Sequence, residues 1–160
     1  MELDAKDCAI IARLQANARV SFAELGRQIG LSTPAVIERI QKLEEAGVIL
    51  GYHAQIDPAA VGLPVHAIVR ITVDGGRIPG FADLARRTPE VLCCHRITGS
   101  ESYLVEVSVR DTQHLEEVID ALMPYVATNT SLVLGTAFDW KAVTPAQTLP
   151  HRGGRKRTRS

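Results

Sequence analysis

Side chains that could contact nucleic acid are concentrated in one short stretch of the chain. They share the outward side of a predicted helix and are Ser32, Thr33, Ala35, Glu38, Arg39 and Lys42. Hydroxyl groups can bond phosphates or base edges, Arg can read guanine, Glu can accept from cytosine, and Lys can neutralise a phosphate. The same set suits a solvated helix face on which Glu38 and Lys42 form an i,i+4 ion pair. The residue types alone leave both interpretations open.

Cysteine and histidine side chains do not follow a metal-ligand pattern. Cys93 and Cys94 are adjacent and would point to opposite faces of a strand, so we expect them to be buried as small apolar residues. The five histidines lack ligand spacing, and most are expected at a surface or interface. An odd number of cysteines does not make a disulfide framework and indicates a reducing cytoplasm. We predict no metal and no cofactor.

Two helix signals separated by a glycine predict a helix-turn-helix around the first group of residues. Ser21-Phe22-Ala23-Glu24 is a capping box that begins one helix, and Gly30 is suited to end it. Ser32 or Thr33 can begin the next helix, which has Val36, Ile40 and Leu43 on its inward side. So short a turn favours a crossing near a right angle, which presents the start of the second helix to a DNA major groove.

The second half of the chain alternates between strand-like and helix-like segments. Its order is strand, helix, strand, strand, helix, strand, a ferredoxin-like βαββαβ arrangement whose last strand is expected at 131–138. The helices of such a domain cover one sheet face only. Ile68, Leu92 and Leu104 are expected on the other face, and a second copy of the chain could cover them.

These signals divide the chain into four parts, an α+β architecture overall. We predict a helix-turn-helix domain at 1–50, a linker strand at 51–63, a ferredoxin-like domain at 64–142 and a disordered tail at 143–160. The last eleven residues carry five Lys/Arg and no acid, although the whole chain has zero net charge. The tail could add non-specific phosphate contacts or only aid solubility. No apolar run approaches the roughly 20 residues of a membrane span, and no signal peptide is evident, so we expect a cytoplasmic protein.

A long, spaced set of residues carries a family resemblance. The set comprises Leu3-Asp4, Asp7, Ile11, Leu14-Gln15, Arg19, Glu24-Leu25, Gly30-Leu31-Ser32, Val36, Arg39, Leu43-Glu44, Gly47-Val48-Ile49, Gly51-Tyr52 and Asp57-Pro58. In these residues the chain resembles the Lrp/AsnC family of transcriptional regulators. The resemblance implies a winged helix-turn-helix with the recognition helix between Ser32 and Lys42, and a ferredoxin-like sensing domain. Relatives pair the linker strand across a dimer and often assemble into tetramers or octamers. Gly26 stands where the family usually has Ala, which is expected to loosen the helix by up to about 1 kcal/mol.

The resemblance also implies an amino-acid effector bound at the dimer interface. The loop positions it assigns to the effector are Gly99, Ser100, Glu101, Ser102 and Tyr103, and Thr130 and Thr136 are further candidates to line the same cleft. Ser102 replaces the acid of the family's Gly-x-x-Asp-Tyr loop, and a neutral hydroxyl is a poorer partner for an ammonium group. Glu101 could take the role unless the strand has already begun there, in which case it would point to the other side. The alternative is a plain hairpin turn.

The sequence therefore predicts a DNA-binding transcriptional regulator that acts as a homo-oligomer and responds to an amino acid or related metabolite. One alternative is a DNA-organising protein without an effector, with which Ser102 and the basic tail are compatible. Another is an enzyme similar to the sirohaem decarboxylases, which look like this family in fold. His95 and Arg96 would suit that chemistry, but the surrounding Asn- and Tyr-containing pattern is missing. We expect no enzymatic activity.

Overall fold

The computed structural model describes residues 1–72, 80–122 and 127–149. These residues form two compact units. Residues 55–137 belong to the second unit, while the described residues on either side, 1–54 and 138–149, belong to the first. The chain therefore leaves the first unit and returns to it, whereas the sequence prediction assigned 138–142 to the second domain. The predicted tail begins within the described residues at 143–149, but its basic part, 150–160, lies outside them.

The helices of the first unit begin at capping residues. Its helices are α1 (Ala5–Ala16), α2 (Phe22–Ile29) and α3 (Thr33–Glu45). Ser21 Oγ accepts from the Glu24 N–H at 3.2 Å, and Ser32 Oγ accepts from the Ala35 N–H at 3.4 Å. Only the serine half of the predicted capping box forms at Ser21, because the Glu24 carboxylate instead accepts from Gln28 at 2.9 Å. A complete capping box occurs at α1, between Asp4 and Asp7.

Apolar residues at helical spacing make the core of this unit, which includes the predicted inward residues Val36, Ile40 and Leu43. Its buried members are Ile10, Leu14, Leu25, Ile29, Val36, Ile40 and Leu43. Gly30 ends α2 in the left-handed conformation (φ 67°), and Ser32 begins α3 two residues later. The short glycine turn therefore stands between α2 and α3 as the sequence predicted.

The second unit is built on an antiparallel sheet with the predicted βαββαβ order. Its elements are β1 (Val65–Thr72), α4 (Phe81–Arg87), β2 (Val91–Arg96), β3 (Tyr103–Val109), α5 (Thr112–Leu122) and β4 (Ala127–Leu132). The strands lie in the order β2-β3-β1-β4. A short 3₁₀ helix, Ala59–Val61, precedes the sheet, and another, Ala146–Thr148, lies in the returning segment.

The limits predicted for the last strand were wrong, whereas the predicted linker strand at 51–63 has no partner within one chain and stays a prediction. The last strand is Ala127–Leu132, not 131–138. It ends where its partner β1 begins, because Leu132 pairs with Ala67 and the Val133 N–H donates to the His66 carbonyl. Pro64 precedes β1 and cannot continue the ladder. The described residues 48–56 form no strand within one chain. Leu50, Tyr52 and Ile56 are exposed there, so the segment has strand-like content without a partner strand.

The helices cover one face of the sheet. Buried residues of the central strands face them, and Ile68 and Leu104 on the opposite face are only partly buried. Leu92 is 53% exposed and falls at a β-bulge between Val91 and Cys93. The expected position of Ile68 and Leu104 on the sheet face that the helices leave uncovered is therefore confirmed for a single chain, whereas the bulge displaces Leu92 from the regular ladder.

His114 is buried, although most of the histidines are expected at a surface or interface. Its Nδ1 accepts from the Arg110 N–H at 3.3 Å, and its Nε2 lies 3.1 Å from Glu90 Oε1. With Nδ1 accepting, Nε2 carries the proton and donates to the carboxylate. The imidazole thus joins the start of α5 to the turn before β2. Among the described residues, no helix is both long enough and apolar enough to cross a bilayer.

Gly26 makes a close approach that the sequence did not indicate. The Leu31 N–H donates to the Gly26 carbonyl at 2.9 Å, and a Cβ added at Gly26 would lie 2.6 Å from the Leu31 carbonyl oxygen. That oxygen belongs to the backbone of the turn between α2 and α3, so it cannot rotate away as a side chain would. In this chain, a Cβ at Gly26 would therefore require the backbone of the turn to shift.

Gly26→Ala is expected to destabilise the protein by about 1–3 kcal/mol, the usual cost of overpacking, despite alanine's better helix propensity. The free energy of unfolding from urea titration would measure it. Gly135→Ala is the matched control, because a Cβ there meets nothing within 4 Å and its φ is not positive. A gain in stability for Gly26→Ala would show that the turn relaxes freely and that the close approach constrains nothing.

Candidate nucleic-acid interface and effector loop

The outward side of α3 is accessible along its length. Thr33, Glu38 and Lys42 are exposed, whereas Val36, Ile40 and Leu43 on the inward side are buried in the first unit. Ala35 is partly buried at the edge of this face. The helix thus presents a polar side to solvent without packing it against the chain's own core.

Three of the predicted contact residues, Ser32, Glu38 and Lys42, are already engaged locally. Ser32 caps α3 through its hydroxyl, and Lys42 Nζ lies 2.6 Å from Glu38 Oε1. The hydrogen bond from Lys42 lowers the pKa of Glu38. Since exposed i,i+4 pairs contribute little to stability, such a pair can open when a phosphate or base competes for either partner.

Arg39 is placed differently from the other predicted contact residues. Its Nη1 donates to Asp4 Oδ2 at 2.8 Å and to Asp7 Oδ1 at 2.7 Å, so it joins α3 to the N-terminus of α1. Asp7 also accepts from the Asp4 N–H at 3.0 Å and is only 5% exposed. The pKa of Asp4 is lowered, first by the hydrogen bond from the Asp7 backbone and also by Arg39, and the pKa of Arg39 is raised by the two carboxylates.

An open depression of about 320 Å³ lies beside this ion-pair cluster. Its lining residues are Met1, Asp7, Leu31, Ala35, Glu38, Arg39 and Lys42. Four of the six predicted contact residues therefore border one concave surface of the first unit.

Gln41 belongs to the same exposed face, although the sequence analysis did not select it. It is exposed and follows Glu38 by three residues, which places both on one side of the helix. The helical spacing could have identified it. A glutamine amide can bond adenine in the major groove with both of its polar groups.

The predicted effector loop joins β2 to β3 and is held by backbone hydrogen bonds. The Ser102 N–H donates to the Ile71 carbonyl at 2.7 Å, and the Ser102 carbonyl accepts from Ile97 at 3.0 Å. Ser102 is buried, and the buried ring of Tyr103 packs on Phe81 with centroids 4.7 Å apart. Ser102 and Tyr103 thus anchor the loop to the sheet.

The tip of this loop is open to solvent. Gly99 is exposed with a φ of 123°, and Ser100 Oγ donates to Glu101 Oε2 at 2.8 Å. Strand β3 begins at Tyr103, so Glu101 precedes it. The side-chain alternation of a strand therefore does not decide where the Glu101 carboxylate points.

The two predicted threonines do not both lie near the loop within one chain. Thr130 pairs with Val69, two residues along β1 from Ile71, and is exposed. Thr136 lies beyond the end of β4 that pairs with the start of β1, whereas the loop lies at the end of β1. A single chain accordingly does not bring Thr136 to the loop.

The adjacent cysteines occupy opposite faces of β2. Cys94 packs against the core of the second unit, where burial raises its thiol pKa. Cys93 is partly buried, and its Sγ lies 3.0 Å from the Nε2 atom of His95. In the part of the chain that the structure describes, no group of three or more His, Cys, Asp or Glu side chains could hold a metal ion.

Comparison with known proteins decides the family. Residues 3–44 match the AsnC-type helix-turn-helix domain, and residues 66–143 match the Lrp/AsnC ligand-binding domain. The chain belongs to the Lrp/AsnC family of transcriptional regulators. The regulator LrpC of Bacillus subtilis is 35% identical over 133 residues, which cover 83% of this chain and 92% of LrpC.

Solved structures of Lrp/AsnC regulators have the same fold. The structure of LrpC superposes with a TM-score of 0.81 and covers 88% of this chain and all of that chain. A regulator of Neisseria meningitidis in complex with L-methionine gives a TM-score of 0.83 at 30% identity, with 92% of this chain and all of that chain covered. The feast or famine regulatory protein of M. tuberculosis, also complexed with L-methionine, gives 0.84 at 32% identity, with 90% and all covered.

The ion-pair cluster predicts an acid-dependent loss of stability. Because the folded pKa of Asp4 lies below 3.8, its charged form contributes stability above that pH, and the contribution is lost as the pH falls through the folded pKa. Asp4→Asn should be less stable than wild type at pH 7 and should lose less on acidification below about pH 4. Urea unfolding between pH 7 and pH 2 measures both effects. Glu45→Gln at the other end of α3 is the charge-matched control, and parallel pH profiles for wild type and Asp4→Asn would contradict the assignment.

Proposed function

We propose that this Lrp/AsnC regulator contacts DNA through the outer face of α3. The observation that carries the proposal is that this face is exposed while the opposite side of α3 is buried in the core. Ser32 and Thr33 at the helix N-terminus suit a phosphate, because backbone N–H groups and hydroxyls converge there. Glu38 and Lys42 would exchange their mutual ion pair for base edges or phosphates, and Gln41 extends the face by one more polar group.

Arg39 acts in this proposal mainly by positioning α3. Its guanidinium is shared between Asp4 and Asp7, and only 31% of its side chain is exposed. If Arg39 also bonded a guanine, it would have to use the other nitrogens of the guanidinium, because Nη1 already donates to the two aspartates. Both roles predict weaker DNA binding for Arg39→Ala, but only the positioning role predicts a loss of stability in the absence of DNA.

The protein is further proposed to act as a dimer or larger homo-oligomer in the cytoplasm. The uncovered sheet face, with Ile68 and Leu104, and the segment at 48–56, which has no partner strand within one chain, both suit contact with a second copy. A two-fold assembly places two recognition helices on two half-sites of DNA.

Amino-acid binding at the loop Gly99–Tyr103 would regulate this assembly. Structural relatives of 30% and 32% identity are complexes with L-methionine, which supports an amino acid or related metabolite as the effector. We propose that Glu101 supplies the carboxylate for the effector's ammonium group, because it precedes β3 and belongs to the loop whose tip at Gly99 and Ser100 is exposed. Binding would shift the population between oligomer geometries and thereby change half-site spacing.

A DNA-organising protein without an effector is the second candidate. The observation in its favour is the buried Ser102, which offers no carboxylate at the position where the family has one. The relatives named above are regulators, which favours a non-enzymatic role over tetrapyrrole decarboxylation.

The DNA-binding proposal predicts a specific pattern among substitutions in α3. On DNA from upstream of the protein's own gene, Glu38→Ala and Gln41→Ala should relax sequence preference by about 1–3 kcal/mol. Lys42→Ala should weaken binding to all sequences and reduce the salt slope by about 1. Gel shifts at several salt concentrations measure these effects, with exposed Arg87→Ala in the second unit as the charge-matched control. Failure of the wild type to bind any such DNA at low salt would refute the proposal.

The effector proposal predicts a role for Glu101 separate from DNA binding. Isothermal titration of the wild type against the twenty amino acids should give heat with at least one. Glu101→Gln should weaken that binding about tenfold or more, because a charge-assisted bond is replaced by a neutral one. DNA affinity without effector should not change. Exposed Glu116→Gln on α5 is the control. If no amino acid gives heat, the effector-independent role is supported instead.

A further inference from the structure

We propose that Tyr52 is a positioning residue for DNA binding: its hydroxyl holds the chain to the end of α3 through Glu44, so that paired copies present their two α3 helices at one preferred spacing. This inference rests on the DNA binding and the pairing of copies proposed above. It concerns the exit segment, residues 47–54, by which the chain leaves the first unit.

The contact joins the exit segment to α3 itself. Tyr52 Oη donates to Glu44 Oε1 at 2.9 Å, and Glu44 lies in the last turn of α3. The pKa of Tyr52 is raised to about 12, first by partial burial and then by the bond to Glu44, so the hydroxyl keeps the proton that it donates at neutral pH. The bond therefore ties the orientation of the exit segment to that of α3.

The stability of the helix does not explain the carboxylate at Glu44. An acid near a helix C-terminus is unfavourable, because it meets the negative end of the helix dipole. Glu44 is exposed and accepts from a neutral hydroxyl, which leaves this charge in place. The bond to Tyr52 gives the carboxylate a role, since an ionised acceptor makes a stronger hydrogen bond than a neutral one.

The start of the exit segment is held without Tyr52. Gly47 turns the chain in the left-handed conformation (φ 66°), and the N–H groups of Val48 and Ile49 both donate to the Leu43 carbonyl, at 2.8 and 3.1 Å. The side chain of Ile49 packs against the core of the first unit. The chain is therefore held at the end of α3 as far as Ile49, whether or not the Tyr52 bond forms.

Beyond Ile49, the Tyr52 bond is the last hold on the chain before the second unit begins. Among the described residues, no other hydrogen bond involves residues 50–54. Gly51 has a φ of 155°, a conformation that glycine adopts readily. The second unit begins at residue 55, so two residues separate it from Tyr52, whereas all five residues at 50–54 would be without a hydrogen bond if the Tyr52 bond were lost.

A freer exit segment would loosen the distance between two DNA-binding units. In a pair of copies, each α3 is connected through its own exit segment to the sheet face that is proposed to pair. Binding of the second half-site is then intramolecular, and its strength falls when the connection permits many separations besides the one that fits the DNA. Holding the segment at Tyr52 therefore favours half-sites at one spacing, for which the helical repeat of about 10–10.5 base pairs sets the scale.

The test measures the spacing preference of full-length proteins on DNA. Half-sites from a fragment that the wild type protects are placed at the natural spacing and at a spacing increased by about 5 base pairs, half of a helical turn. A third fragment carries one half-site alone. Gel shifts on all three fragments compare the wild type with Tyr52→Phe, Glu44→Ala and Glu44→Gln, and Glu45→Ala, at the neighbouring exposed acid, is the matched control. Urea titration checks that each variant is folded.

Tyr52→Phe should reduce the preference for the natural spacing about two- to tenfold per copy, the range that the usual net strength of one hydrogen bond permits. Its affinity for the single half-site should not change, because the outer face of α3 is unaltered. Glu44→Ala should have the same effect on the spacing preference, and the double variant should add nothing further. Glu44→Gln keeps an acceptor and should retain most of the preference, while Glu45→Ala should behave as the wild type.

An unchanged spacing preference in Tyr52→Phe would overturn the proposal. An equal loss in Glu45→Ala, or a further loss when Tyr52→Phe is added to Glu44→Ala, would overturn the assignment to this pair of residues. If Tyr52→Phe weakened binding to the single half-site as much as to the pair, its role would be confined to holding α3. A wild type that bound none of the fragments would instead refute the proposed DNA binding, and one that bound both spacings equally would refute the proposed pairing.

Discussion

The orientation of α3 depends on the ion-pair cluster of Arg39, Asp4 and Asp7. Asp7 is nearly buried, and a buried carboxylate without a cation is strongly unfavourable, so Arg39 has to remain in place once α1 and α3 pack together. The same two aspartates cap the N-terminus of α1, because the side chain of each accepts a hydrogen bond from the backbone N–H of the other. One set of atoms therefore both begins the first helix and fixes the third against it. In the proposed function, the outer face of α3 meets DNA in a defined orientation because Arg39, at the edge of that face, is held by α1.

Much of this unit could be predicted from the sequence, because helix starts, glycine stops and apolar spacing are local signals. The role of Arg39 could not. Its position at the edge of the outward face is equally compatible with DNA contact and with an intramolecular partner, and only the packing of α1 against α3 brings Asp4 and Asp7 to it. Gly26 is a similar case, since helix propensity counts against glycine, whereas its close approach to the Leu31 carbonyl of the following turn is visible only in the structure. The missed limits of β4 have a related cause: strand limits depend on a partner, which single-strand composition does not specify.

The effector loop illustrates how one substitution alters the assignment of neighbouring residues. The backbone of Ser102 is committed on both sides, to Ile71 and to Ile97, and the residue is buried. A hydroxyl is cheaper to bury there than a carboxylate, so serine suits the sheet while removing a charge from the loop. The nearest remaining carboxylate in the loop is that of Glu101, which is partly buried and lies before β3 rather than within it. In the proposed site, the carboxylate that binds the effector's ammonium group therefore lies one residue earlier in the chain. The backbone hydrogen bonds of Ser102 still hold the loop to the sheet.

The affinity for DNA depends on which Lys and Arg side chains are free of internal ion pairs. Internal ion pairs hold three of the six cations in residues 1–54, namely Arg27, Arg39 and Lys42. Pairing of two copies, as proposed above, would raise the affinity without altering the fold, because it makes the second contact with DNA intramolecular and raises avidity through effective concentration. In the proposed function α3 supplies selectivity and the pairing of copies supplies additional affinity, so an effector that changes oligomer geometry can alter DNA affinity without touching the recognition helix.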